Sequence, residues 1–79
     1  MEDFLWIEFN VQKIDNHALS PDEVEFAWVN RRDLKRRKHS EHGEYMESLG
    51  ECPSGRIIRI IWRYNAGELG RQVFVITAY

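Results

Sequence analysis

A histidine, a lysine and a set of arginines carry the side chains in this 79-residue sequence best suited to chemistry. Asn10, Lys13 and His17 recur at i, i+3 and i+7, which places all three on one face of a helix. His17 is the natural acid–base group, because an imidazole titrates near neutral pH. Arg59 and Arg63 stand four residues apart in a strand-like stretch. At about 3.3 Å per residue that puts them roughly 13 Å apart on one sheet face, a span suited to straddling phosphates. Arg56, just after Gly55, is a further cation, and Lys35, Arg36 and Arg37 lie in a basic tract from Arg31 to Lys38. Cleavage of RNA without a metal requires a group to deprotonate the 2′-hydroxyl, cations to stabilise the phosphorane and an acid for the leaving oxygen. These residues, with Tyr64 or Tyr79 as proton donors, supply a candidate for each role.

The same residues have plainer structural readings. A histidine closing a helix can serve as a C-terminal cap, and Lys13 can lay its aliphatic stem over the edge of a core. Arg59 and Arg63 can pair with glutamates on a solvated sheet face. Lysines and arginines at Lys35, Arg36 and Arg37 either bind a polyanion or guard an edge strand against aggregation. His39 and His42 have no third ligand at a typical spacing, so no metal site is expected. Cys52 precedes Pro53 and has no histidine dyad nearby, so a catalytic thiol is not expected. Gly67 and Gly70 do not lead into a helix, which argues against a nucleotide-binding loop and leaves no cofactor implied.

The elements that position these groups must fit one small domain. The composition is 43% hydrophobic and 30% charged, ordinary for a globular fold and too apolar for a disordered chain. The apolar runs fall far short of the roughly 20 residues of a membrane span, and the acidic start lacks a signal peptide's basic region. The lone Cys52 cannot form an intrachain disulfide, as suits a reducing compartment, so a cytoplasmic location without a membrane partner is expected. The net charge of −2 conceals an asymmetry, for residues 1–30 hold seven acids against Lys13 alone, whereas Arg31 to Lys38 hold six bases against Asp33.

Phe4 to Ile7 reads as a short strand. Ile7, Val11, Ile14 and Ala18 then recur at helical spacing, predicting a first helix that ends near Asn16-His17. Ser20, Pro21 and Glu23 form a capping-box start for a second helix, with Val24, Ala27 and Trp28 buried and an end near Asn30. Asp33 to His39 and Glu44 to Leu49 read as strands around a turn at Ser40 to Gly43. Arg56 to Tyr64 and Gln72 to Ala78 form a central hairpin. The predicted class is therefore α+β, with a short N-terminal strand and two short N-terminal helices packed on an antiparallel sheet of about four strands. In the central hairpin Ile58, Ile60 and Trp62 oppose Ile57, Arg59, Ile61 and Arg63. Strict alternation likewise opposes Phe74, Ile76 and Ala78 to Val73, Val75 and Thr77. The helices can cover only one face, and the other, bearing Arg59 and Arg63, suits a ligand or partner.

Trp6, Asn10, Lys13-Ile14, His17, Leu19-Ser20-Pro21 and Glu23-Val24-Glu25 together resemble the opening of BrnT-type toxins. Gly43 to Gly50, Ser54-Gly55-Arg56 and Val75-Ile76-Thr77-Ala78 are similar to that family's later strands. Relative to the family the chain is shortened after Ala78. The resemblance implies a RelE-like fold and a small endoribonuclease toxin of a bacterial type II toxin–antitoxin system, acting without metal and paired with a ribbon-helix-helix antitoxin. On this reading His17, Arg59 and Arg63 are catalytic, and Lys13, Arg56, Lys35, Arg36 and Arg37 contact RNA phosphates. The alternative is a catalytically degenerate relative that keeps only a protein-interaction surface on the Ile57 and Val75 face.

Overall fold

The computed structural model describes residues 2–39, 43–67 and 70–79. The turn expected at Ser40 to Gly43, and His42 with it, therefore falls largely outside the described residues. Element order is β1 (Phe4–Leu5), α1 (Glu8–Asp15), α2 (Pro21–Val29), β2 (Arg32–His39), β3 (Gly43–Glu51), β4 (Ile57–Gly67) and β5 (Gly70–Ala78). The class is α+β, as the sequence predicts, but the sheet has five strands, ordered β1-β5-β4-β3-β2. The additional strand is β1, which pairs in parallel with β5 through Phe4 opposite Val73 and Leu5 opposite Phe74. No helix among the described residues is long and apolar enough to cross a membrane.

Both helices pack on one face of the sheet, over a core of Ile14, Leu19, Val24, Ala27, Trp28, Cys52, Ile58, Ile60, Trp62, Val73, Val75 and Ala78. At its centre Trp28 meets Trp62 edge to face, with ring centroids 5.3 Å apart. The start of α2 follows from its sequence. Ser20 Oγ accepts the Glu23 backbone N–H at 3.3 Å, and Glu23 Oε1 accepts the Ser20 N–H at 3.1 Å. This reciprocal pair satisfies two of the helix's unpaired donors, a contribution of about 1 kcal/mol.

The first helix departs from its expected stripe. Ile14 is buried, but Ile7 is 46% exposed and the residue that replaces it in the interior is Asn10. Asn10 Oδ1 accepts the Ile7 N–H at 2.7 Å, and its Nδ2 donates to the carbonyls of Leu5 and Val75 at 2.9 and 3.0 Å. One amide thus starts α1 and ties it to both β1 and β5. After α1 the chain reverses at Ala18, whose φ of 58° is left-handed, so Ala18 is no part of an apolar stripe. That conformation costs an L-residue with a Cβ roughly 1 kcal/mol that glycine avoids. Ala18→Gly is therefore expected to stabilise the fold by up to about 1 kcal/mol, less the entropy glycine gains when unfolded, read as a higher urea midpoint with unchanged slope.

A second departure lies in the central hairpin. Pairing runs from Ile60 opposite Ala78 and Ile61 opposite Thr77 to Trp62 opposite Val75, skipping Ile76. This bulge shifts the phase of β5 by one residue, since one extra residue on a strand exchanges the faces of everything beyond it. Val73 and Val75 consequently join Ala78 in the core beneath the helices, and Phe74 turns to the opposite face with Arg63. The face expected to unite Ile57 with Val75 does not exist, because Val75 is buried and Ile57 is 58% exposed on the other side.

Candidate nucleic-acid interface

The helix-free face of the sheet gathers cations from two strands, β2 and β4, that flank β3. Register places Lys35 opposite Glu47 and Arg37 opposite Tyr45 on β2 and β3, with Leu49 opposite Arg59 across β3 and β4. Alternation then sends Lys35, Arg37, Arg59 and Arg63 to the same side. At their centre stands one carboxylate. Glu47 is only 5% exposed, accepts Arg37 Nε at 3.1 Å on one oxygen, and accepts Arg59 Nη1 on the other. Two arginines held by one acid leave the patch with a net positive charge and a fixed arrangement of guanidinium planes. Arg63 lies beside them with its guanidinium 5.4 Å from the Phe74 ring centroid, and its Nε is buried without a hydrogen-bond partner among the described residues.

The remaining candidates fall elsewhere. His17 follows α1 on the helix-bearing side, exposed, with its ring centroid 5.8 Å from that of Tyr79. Tyr79 exchanges both backbone hydrogen bonds with Arg59, at 2.8 and 3.0 Å, yet the Arg59 guanidinium turns away to Glu47. Arg56 joins the His17 end, donating from Nη1 to the Ala18 carbonyl at 3.3 Å. Lys13 extends over Phe9, its ammonium 5.1 Å from the ring centroid. Asn10 does not share that exposed face, since it is sealed in the core. Arg36 leaves the patch as well, because alternation places it on the helix-bearing side opposite Met46. Six of the candidates form two groups, a sheet-face cluster of Lys35, Arg37, Arg59 and Arg63 and a helix-end cluster of His17 and Arg56 beside Tyr79, and Lys13 and Arg36 join neither.

Glu47 was not singled out by its sequence. Its signal is nonetheless present, an acid in the middle of β3, in phase with Tyr45 and Leu49 on the face that also carries Arg59. Cys52 lines the core, and burial, with Glu23 adding to it and Arg56 opposing it, pushes its thiol above the ordinary range. A buried protonated thiol is a poor nucleophile.

No family model, curated protein or solved structure matches this chain.

Proposed function

We propose that the protein is an RNA-directed toxin-type endoribonuclease that works without a metal, with the helix-free sheet face as its RNA surface. The observation that carries this reading is the set of Lys35 and Arg37 on β2 and Arg59 and Arg63 on β4, on either side of the buried carboxylate of Glu47 on β3. A cationic, partly apolar sheet face suits single-stranded RNA, since phosphates meet the arginines and bases lie against the partly exposed Ile61. Glu47 fixes the arginines before the ligand arrives, so little side-chain entropy is lost on binding. In this reading Arg59 and Arg63 stabilise the phosphorane, and His17 serves as the acid–base group for RNA that passes around the strand ends at Tyr79, where the two sides of the sheet meet.

A ribbon-helix-helix antitoxin is the partner the resemblance implies. The apolar groove of Phe4, Phe26, Trp28 and Val29, rimmed by Glu2 and Glu25, is the surface we assign to it. Phe26 and Val29 are 52% and 73% exposed, and the acidic rim favours a segment with basic flanks.

One observation favours a second reading, a non-catalytic interaction module. Arg59 is already engaged by Glu47, and His17 stands on the opposite side of the sheet from that pair. Incubation of the purified protein with a structured RNA in chelator, resolved by gel, separates the two. The ribonuclease reading expects wild-type cleavage that falls about 10²-fold in Arg59→Ala/Arg63→Ala, the scale of a lost transition-state clamp. Loss of cleavage in His17→Ala as well assigns the imidazole to the reaction. RNA left intact by the wild type, or cut equally by all three proteins, removes the enzyme reading and leaves the module.

A further inference from the structure

The helix-bearing side of the sheet is not covered to its end. Beyond α2, a cavity of about 320 Å³ opens over β2, β3 and β4, lined by Arg31, Asp33, Arg36, Glu44, Trp62 and Tyr64 among others. Its size is at the lower end of small-ligand pockets, enough for one planar group but not for a duplex. We infer that this cavity holds a single unpaired nucleobase bearing an exocyclic amino group, as cytosine and adenine do. The inference rests on the RNA-binding reading above and names which base the protein selects.

Three features of the cavity carry it. Its wall is aromatic and guanidinium in character. The Arg31 guanidinium lies 4.9 Å from the ring centroid of the buried Trp62, backed by Trp28 at 3.8 Å outside the cavity, and Trp62 meets Tyr64 edge to face at 5.1 Å, so Arg31 and Tyr64 present the open surfaces. Unstacked bases are held by such rings and by arginine planes. Its acceptors are carboxylates. Asp33 Oδ1 takes both Arg31 Nε at 2.9 Å and Ser48 Oγ at 2.7 Å, leaving Oδ2 without a partner among the described residues. Glu44 lines the same cavity. A carboxylate accepts the amino group of cytosine or adenine and repels the carbonyl that uracil carries at the equivalent position. Finally, the cavity borders the proposed RNA surface. β2 is the sheet edge, and its alternation sends Arg36 into the cavity while Lys35 and Arg37 face the other side. A strand of RNA crossing that edge meets phosphate contacts on both sides of it, with one base turned into the cavity.

Fluorescence anisotropy with labelled oligo(C) and oligo(U) of equal length tests this, because the two differ chiefly in the amino group against the carbonyl at C4. Wild type is expected to bind oligo(C) about tenfold more tightly, the worth of one good base-edge contact. Glu44→Ala and Tyr64→Leu, both at exposed positions, are expected to bring the two oligomers to equal affinity. Lys35→Ala/Arg37→Ala is expected to weaken both alike, as loss of phosphate contacts does. Equal binding of the two oligomers by wild type, or a preference untouched in Glu44→Ala and Tyr64→Leu, overturns the base pocket while leaving the RNA surface standing. Failure to bind either oligomer at low salt overturns both.

Discussion

Gly50→Ala is expected to unfold the domain, or to leave it so weakened that it melts near ambient temperature. Gly50 sits in β3 where α2 crosses the sheet, and a Cβ built there falls 2.1 Å from the Ala27 carbonyl oxygen and 2.7 Å from its carbon. The obstacle is backbone, so no side-chain rotation relieves it, and the helix must lift from the sheet. Lifting α2 separates Trp28 from Trp62 and opens the centre of the core. Overpacking by one methyl ordinarily costs about 1–3 kcal/mol, and a backbone clash belongs at the top of that range or beyond. A core this small supplies little more than about 3–5 kcal/mol in all. Urea denaturation followed by circular dichroism checks the result. A midpoint within experimental error of wild type would show that α2 and β3 do not approach as described.

Asn10→Leu is expected to cost about 3 kcal/mol while preserving side-chain volume. The substitution removes the acceptor for the Ile7 N–H and both donors, to Leu5 O and to Val75 O, in a position with no access to water. Each orphaned buried group costs roughly 1–3 kcal/mol, and the groups left behind belong to three different elements. Asn10→Asp is expected to rescue little, since it keeps the acceptor but buries a charge and places it against two carbonyls. Equal thermal stability of Asn10→Leu and wild type would contradict the account of how α1 is held. The position also explains a misreading. Spacing alone groups Asn10 with Lys13 and His17, because a seven-residue step returns to the same face of a helix. An amide that satisfies three backbone groups, however, is drawn inward regardless of its polarity.

Other parts of the fold were legible because their determinants are local. Ser20, Pro21 and Glu23 specify where α2 begins through contacts within one turn, and the helix starts there. The β4 and β5 strands declare themselves by dense β-branched and aromatic residues, and they pair as a hairpin. What escaped was set by partners distant in sequence. Joining β1 to β5 spans most of the chain, and nothing within Phe4 and Leu5 says that they will pair in parallel. The bulge opposite Ile61 and Trp62 is a property of two strands together, so strict alternation placed Val75 on the wrong face. At the candidate site, alternation correctly put Arg59 and Arg63 on one side of β4. It gave no sign that Glu47 would hold Arg59, because that pairing depends on the register of β3 against β4. His17 stands out in the sequence by its chemistry, but its separation from the sheet-face arginines follows from the side of the sheet on which α1 packs.

With RNA phosphates on the helix-free sheet face, as proposed, the salt dependence of RNA binding reports their number. Affinity for a single-stranded RNA would be measured across a range of salt for wild type and for Lys35→Ala/Arg37→Ala/Arg63→Ala. Each phosphate contact releases counterions and contributes about 0.7 to the slope of log affinity against log salt. A steep wild-type slope is expected to become shallower by about 2 in the triple variant, three contacts being lost. A triple variant that still folds and binds with the wild-type slope would contradict it and move the RNA surface elsewhere on the molecule.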